Sequence, residues 1–82
     1  MNRRFINIGF GNLINSDKLL AVISPDSAPA KRIIQKAKEN DSLIDATQGR
    51  RTKSVLITDT GQVVLSSLQP DTLGTRLDTE HS

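Results

Sequence analysis

Two strand-forming segments constrain the fold of this chain more than any other feature. Residues 54–58 (Ser-Val-Leu-Ile-Thr) and residues 62–66 (Gln-Val-Val-Leu-Ser) are separated by Asp59-Thr60-Gly61. β-branched residues favour strands, and a glycine in a short connection supplies the positive φ that a tight turn needs. The pattern therefore predicts a β-hairpin that spans residues 54–66.

Three further segments are predicted to form strands. Residues 5–10 (Phe-Ile-Asn-Ile-Gly-Phe) alternate apolar residues with small or polar ones, which indicates a strand whose end is marked by Gly9 and Gly11. Residues 19–24 (Leu-Leu-Ala-Val-Ile-Ser) indicate a second, more buried strand, and residues 43–44 begin a short one.

A helix is predicted over residues 28–40. Ser27 is a suitable N-cap, and Pro29 fits the first turn because a backbone N–H at that position has no partner within the helix. Lysine and arginine residues border an apolar stripe, so the helix is amphipathic and can pack one face on a sheet. The residues of the stripe recur at helical spacing: Ala30, Ile33, Ile34 and Ala37.

The C-terminal segment is predicted to be a short helix and a polar tail. Pro70 and Asp71 open a helical turn over about residues 72–77, and residues 78–82 form the tail. We therefore predict a single domain over residues 1–77. Its fold class is α+β, with a small, mostly antiparallel sheet, one packed amphipathic helix and a short C-terminal helix.

The chain has only 82 residues, so its core is small and its stability alone is marginal. Small domains are usually stabilised further by disulfides, by a metal or by oligomerisation. There is no cysteine, and the one histidine, His81, lies in the polar tail. We therefore expect no metal and no cofactor, and we expect a homo-oligomer.

Several classes of function are disfavoured by missing motifs. No run of 18 apolar residues predicts a membrane span, and the lack of cysteine and of a signal peptide suits the cytoplasm. Gly9-Phe10-Gly11 is followed by Ile14 where a dinucleotide-binding loop needs a third glycine, so a turn at the end of the strand is favoured, and no P-loop occurs. Without a catalytic constellation such as Gly-x-Ser-x-Gly, we expect neither an enzyme nor a small-molecule substrate.

Charge is unevenly distributed along the chain, although the net charge is only +2. Residues 1–53 contain ten Lys/Arg and five Asp/Glu, whereas residues 54–82 contain one Arg and four acidic residues. A basic N-terminal part indicates a surface for a polyanion, and chance scatter of charges is the alternative interpretation.

The densest group of cations lies between two predicted strands. In residues 44–53 (Ile-Asp-Ala-Thr-Gln-Gly-Arg-Arg-Thr-Lys), Arg50, Arg51 and Lys53 follow Gly49, which can adopt a positive φ. Strand ends position a loop, and guanidinium groups form paired hydrogen bonds with phosphate oxygens. The loop could bind nucleic acid, bind an acidic protein, or be an ordinary solvated loop.

Aromatic residues are scarce, which bears on the kind of nucleic acid. Phe5 and Phe10 are predicted to lie in a strand and at its edge, so neither is expected to stack on unpaired bases. Duplex phosphate contacts need only cations and backbone donors. Double-stranded DNA is therefore favoured over single strands.

Three motifs in combination are similar to a known family. They are residues 5–12 (Phe-Ile-Asn-Ile-Gly-Phe-Gly-Asn), residues 24–29 (Ser-Pro-Asp-Ser-Ala-Pro) and residues 44–52 (Ile-Asp-Ala-Thr-Gln-Gly-Arg-Arg-Thr). Together they resemble the RemA family of bacterial extracellular matrix regulatory proteins. The resemblance implies a DNA-binding transcriptional regulator that activates biofilm-matrix and related genes, and a closed ring whose basic periphery contacts DNA.

The resemblance also implies roles for particular residues. Arg50 and Arg51 match the arginine pair that binds DNA in the family, and Lys18 lies where the family often has an arginine. Lys18 keeps the charge but not the bidentate geometry. Pro29 matches a functionally important proline, which we interpret as a constraint on the start of the helix. With Lys53 from the same basic segment, the predicted DNA-binding residues are Lys18, Arg50, Arg51 and Lys53.

Overall fold

The computed structural model of the protein describes residues 5–81, with side chains described up to residue 78. These residues form six strands and two helices, and a single 3₁₀ turn, Ser16–Lys18, joins the second strand to the third. The elements are β1 (Phe5–Asn7), β2 (Leu13–Asn15), β3 (Leu19–Ile23), α1 (Ala28–Glu39), β4 (Leu43–Asp45), β5 (Ser54–Thr58), β6 (Val63–Ser66) and α2 (Pro70–His81). The predicted α+β class is confirmed.

A four-stranded sheet with the order β3-β5-β6-β4 forms the centre of the fold. The predicted hairpin is confirmed, because β5 and β6 pair antiparallel from Ser54 with Ser66 to Ile57 with Val63. β3 is antiparallel to β5, whereas β4 runs parallel to β6. The sheet is therefore mostly antiparallel, as predicted, with one parallel pair at its edge.

The central strands β5 and β6 are buried on both faces of the sheet. On one face, Val55 and Leu65 pack with Ala30 and Ala37 of α1. On the other face, Leu56 and Val64 belong to a second apolar cluster that includes Ile6, Ile8 and Leu73 of the β1 and α2 segments. Burial of each such aliphatic side chain contributes about 1.5–3 kcal/mol, so the hairpin is the most strongly stabilised part of the sheet.

Helix α1 has the start that the sequence predicts. The Ser27 side-chain oxygen accepts a hydrogen bond from the Ala30 N–H at 3.2 Å, and Pro29 lies in the first turn. The helix ends at Glu39, one residue before the predicted end, and Asn40 is its C-cap. The apolar stripe of α1 packs on the sheet, with Ala30 and Ala37 buried.

The strand predicted over residues 5–10 is confirmed at its start, but its predicted end is wrong. Strand β1 ends at Asn7, and Gly9, Phe10 and Gly11 all have positive φ, at 115°, 55° and 77°. Three such residues in succession reverse the chain into β2, which the sequence did not predict. β1 and β2 form a separate two-stranded antiparallel sheet that covers one face of the central sheet.

The C-terminal helix is longer than predicted. α2 runs from Pro70 to His81, where the sequence predicted a turn over residues 72–77 and a polar tail after it. Leu73 and Leu77 are one helical turn apart and pack against the core, which anchors the helix despite Gly74. Ser82 and the side chain of His81 lie outside the described part, and the domain boundary at residue 77 stays a prediction.

Candidate nucleic-acid interface

The basic loop, residues 46–53, crosses the end of β6. It connects β4 to β5, and β6 lies between these two strands in the sheet. At the start of the loop the Ala46 N–H donates to the Leu65 carbonyl at 3.0 Å, and at its end the Lys53 N–H donates to the Ser66 carbonyl at 2.9 Å. Since both ends are bonded to an interior strand, the loop presents its side chains from a fixed backbone.

A tight turn at the centre of the loop directs the arginines outward. Gln48 and Gly49 have φ of 55° and 79°, and the Arg50 N–H donates to the Thr47 carbonyl at 2.9 Å. Two successive residues at positive φ are typical of a type I′ turn. The positive φ predicted for Gly49 is confirmed, whereas that of Gln48 was not predicted.

Asp45 stabilises the start of this turn. Its Oδ1 accepts hydrogen bonds from the Thr47 hydroxyl at 2.6 Å and from the Thr47 N–H at 2.9 Å. The hydroxyl bond, then the backbone bond, lowers the pKa of the Asp45 carboxyl below its ordinary value, and a small desolvation effect opposes them. The carboxylate is therefore ionised at neutral pH and holds Thr47 in place.

Arg50, Arg51 and Lys53 are exposed and line two neighbouring depressions. The first is a cavity of about 270 Å³. We call its lining residues the cationic surface: Phe10, Arg50, Arg51, Lys53 and Ser67. The second depression, of about 310 Å³, shares Arg51 and Lys53 and extends to Ser24, Pro25, Asp26, Thr52, Gln69 and Pro70. The structure thus brings together three of the four predicted DNA-binding residues.

The cations of this surface have no acidic partner in the described part of the chain. Among residues 5–78, the side chains of Arg50, Arg51 and Lys53 form no ion pair. Asp26 also lines the second depression, but among the described residues it forms no ion pair with these three cations. The guanidinium and ammonium groups are therefore available to an external anion, and their fork and point-charge geometries both suit phosphate oxygens.

Phe10 reaches the cationic surface from the turn between β1 and β2. The Ile8 N–H donates to the Asn12 carbonyl at 2.8 Å, and the Gly9 N–H donates to Asn7 Oδ1 at 2.7 Å. The Phe10 side chain is 53% exposed at the tip of this turn. The prediction that Phe10 lies at a strand edge is wrong, whereas the turn that the sequence favoured at Gly9-Phe10-Gly11 is confirmed.

Ser66 connects the Phe10 turn to the basic loop. Its hydroxyl donates to the Ile8 carbonyl at 2.7 Å and accepts the Leu68 N–H at 3.1 Å, and its own carbonyl accepts the Lys53 N–H. Ser66 is fully buried. One residue therefore fixes the relative position of the two segments that supply Phe10 and the cations, a role that the sequence did not reveal.

Lys18 lies on a different part of the surface. It is exposed at the end of the 3₁₀ turn, and its carbonyl accepts the Asp59 N–H at 2.8 Å. Lys18 lines a larger cavity, of about 420 Å³, which we call the apolar groove. Its lining residues are Ile8, Asn12, Leu13, Ile14, Asn15, Lys18, Ile44, Asp45, Ala46, Gln48, Thr58, Thr60, Gln62 and Val64. Within one chain, the structure does not group Lys18 with the arginines.

Pro29 lines neither depression of the basic region. It is exposed in the first turn of α1, next to the capped segment at residues 24–27. In that segment the Ser27 hydroxyl donates to the Ser24 carbonyl at 3.1 Å, and the Asp26 N–H donates to the Ser24 hydroxyl at 3.3 Å. Residues 24–26 line the second depression, so the start of the helix positions part of that surface.

The described residues contain no group of three or more His, Cys, Asp and Glu side chains that could hold a metal ion. None of the described helices has the length and apolar character needed to cross a membrane.

Comparison with known proteins identifies the family. Residues 5–77 match the RemA-like family, described as Extracellular matrix regulatory protein A-like. A protein of Geobacillus thermodenitrificans is 54% identical over 77 residues, which cover 94% of this chain and 88% of that protein. A protein of Clostridium perfringens is 54% identical over 80 residues, covering 98% and 90%, respectively. A third, from Acetivibrio thermocellus, is 52% identical over 79 residues, covering 96% and 85%. All three are named "Putative regulatory protein". The chain belongs to the RemA-like family.

Proposed function

We propose that this protein is a DNA-binding transcriptional regulator that binds duplex DNA as a homo-oligomeric ring and activates extracellular-matrix genes. The observation that supports this proposal is the cationic surface. Arg50, Arg51 and Lys53 are exposed, lack ion pairs among residues 5–78, and project from a loop bonded at both ends to β6. The family description supports the regulatory role and the matrix genes as its targets.

Phosphate is the anion that this arrangement suits. Arg50 and Arg51 can each present two N–H groups to one phosphate, and Lys53 adds a point charge beside them. A rigid loop backbone limits the entropy that is lost when the side chains become ordered on DNA. A role in transcription also places the protein in the cytoplasm, where it needs neither a cofactor nor a small-molecule substrate.

Assembly would explain how a chain of net charge +2 holds a polyanion. In a closed ring, each subunit presents the same three cations along one rim, so their contacts with DNA act together. The apolar groove supports self-association, because Leu13 is 63% exposed and Ile44 is 45% exposed at its lining. We propose a second copy of the chain as the occupant of the groove.

The decisive experiment is a titration of the pure protein with duplex DNA across a range of salt concentrations. The logarithm of affinity should fall linearly with the logarithm of salt concentration, with a slope of about −0.9 per phosphate neutralised. Duplex should bind more tightly than either of its single strands. If duplex is not bound at low salt but polyglutamate is bound through the arginines, the protein is a scaffold for an acidic partner instead.

Single substitutions assign the contacts. Arg50→Ala and Arg51→Ala should each weaken duplex binding by roughly 10- to 100-fold, the range for a charge-assisted hydrogen bond worth about 1.5–3 kcal/mol. Each should also make the salt slope shallower by about one unit per subunit in contact. Lys38→Ala is the matched control, because Lys38 is an exposed cation of α1 outside the basic region. Lys18→Ala should weaken duplex binding less than the two arginine variants do, and more than Lys38→Ala does.

A further inference from the structure

Phe10 combines an exposed ring with an unfavourable backbone conformation. Its φ of 55° lies in the left-handed region, which a bulky residue adopts at a cost that glycine or asparagine avoids. The side chain is 53% exposed and belongs to neither apolar cluster of the core. Folding therefore gains little from this ring, and strain that is retained without a packing benefit indicates a functional constraint.

The turn that carries Phe10 packs against the segment that follows β6. A Cβ atom at Gly9 would lie 3.4 Å from Ser67 Oγ and 3.6 Å from Leu68 Cγ, so the turn rests closely on the segment after β6. The Ser66 hydroxyl bonds to the Ile8 carbonyl beneath the turn. Phe10 thus has a fixed position relative to the basic loop, which is bonded to the same strand end.

The chemistry around the ring indicates its partner. Phe10 lines the same cavity as Arg50, Arg51 and Lys53, so a ligand held by these cations would meet an apolar ring beside its charged groups. A nucleic acid has this combination of charged phosphates next to apolar sugar and base surfaces. Proteins that bend or probe duplex DNA use Phe and Leu side chains in the groove in this way.

We propose that Phe10 is an apolar contact residue of the DNA interface, with its ring packed in a groove of the duplex against sugars and base edges. The cations hold the flanking phosphates, and the ring adds a contact that does not depend on charge. This inference rests on the proposed function, since it requires that the cationic surface binds DNA.

The test compares Phe10→Asn and Phe10→Leu in the duplex titration. Asn tolerates positive φ, so Phe10→Asn should fold with equal or higher melting temperature, keep its oligomer mass and lose about tenfold in affinity, the size of one lost aromatic contact. Its salt slope should stay unchanged, because no charge is removed. Phe10→Leu keeps an apolar group and should bind within about threefold of the wild type.

Asp41→Asn is the control for asparagine at this kind of backbone, because Asp41 has φ of 56° after α1 and away from the cationic surface. It removes a negative charge, so it should not lose DNA affinity. Unchanged affinity of Phe10→Asn, while Arg50→Ala loses binding, would overturn this inference alone. A wild-type protein that fails to bind duplex would overturn the proposed function and this inference together. Loss of oligomer mass in Phe10→Asn would make Phe10 a contact between subunits. Tighter binding of single strands, abolished in Phe10→Asn, would make it a stacking residue for unpaired bases and would also overturn the assignment to a duplex groove.

Discussion

The turn at residues 47–50 separates a charged surface from an apolar one. Arg50 lines the cationic surface, a cavity of about 270 Å³ with three cations and one aromatic ring. Gln48, two residues earlier, lines the apolar groove, which is larger at about 420 Å³ and exposes Leu13 and Ile44. The residues of the cationic surface come from loops, whereas half of those that line the groove lie in strands.

The chemistry of each surface indicates the partner that it suits. Charged side chains on loops are well solvated when they are free, so they can remain exposed until a polyanion binds. Contact of exposed aliphatic side chains with water costs about 25 cal/mol per Å² of apolar area. Association with another protein surface removes this cost. A single turn can thus keep the proposed DNA-binding surface apart from the proposed assembly surface, and substitutions should affect the two separately.

The largest effect should follow from Ile44→Asp in the apolar groove. Ile44 is 45% exposed on edge strand β4 and belongs to neither core cluster, so the monomer should still fold. A carboxylate buried between subunits loses its hydration, which should dissociate the oligomer. Loss of the multivalent contact should then weaken duplex binding by at least about 100-fold. Light scattering after size exclusion and the duplex titration measure the two effects.

Two companion variants show whether the surfaces are separable. Ile44→Val keeps the apolar character and should keep the oligomer mass, and Arg51→Ala should keep the mass while losing DNA. An intact oligomer in Ile44→Asp would show that the groove faces solvent in the assembly. Dissociation in Arg51→Ala would instead place that arginine at a contact between subunits.

The sequence predicted the cationic surface better than the apolar groove for a physical reason. Gly49 and the arginines after it are contiguous, so a local pattern was enough to indicate an exposed basic loop. The groove combines Leu13 of the unpredicted β2 with Ile44 and Val64, which are distant in sequence and meet only through the sheet. Long-range pairing of this kind leaves no local signal.

The same reasoning explains the errors in the helices and strands. The hairpin at residues 54–66 and α1 were predicted because their patterns are local and strong. Strand β1 was overextended because Phe10 has an apolar side chain, yet its backbone follows the turn imposed with Gly9 and Gly11. Helix α2 was underestimated because its polar sequence has weak helical periodicity, and its anchor is the packing of Leu73 in the core.

A smaller effect is expected from Pro29→Ser, which tests the segment beside the cationic surface. Proline in the first turn restricts the unfolded chain, so its loss should cost about 0.4–1 kcal/mol of folding stability. The melting temperature should fall by several degrees. Duplex affinity should fall less than tenfold, because residues 24–26 beside Arg51 become less ordered. The oligomer mass should not change. Thermal unfolding, light scattering and the duplex titration measure these outcomes.

Ser27→Ala is the matched variant for this effect. It removes the hydrogen bond from the Ala30 N–H and should cost about 1 kcal/mol while loosening the same segment. The two variants should therefore lose stability and DNA affinity in parallel. If Pro29→Ser keeps full stability and loses DNA binding, the proline contacts DNA directly and belongs to the interface itself.

The smallest effect concerns Asp45, whose carboxylate holds the turn between the two surfaces. Hydrogen bonds from Thr47 lower its pKa in the folded protein, so ionised Asp45 stabilises the fold above its unfolded pKa of about 3.8. This contribution is lost as the pH falls through the lowered, folded pKa. Asp45→Asn should therefore melt slightly below the wild type at neutral pH, and the difference should shrink below about pH 4.

Asp59→Asn removes the same charge from an exposed turn and controls for net charge. Melting curves between pH 3 and pH 7 measure the difference. A gap between wild type and Asp45→Asn that stays constant with pH would show that the ionised carboxylate does not hold the turn, and the two surfaces would then owe their separation to the backbone bonds of the loop alone.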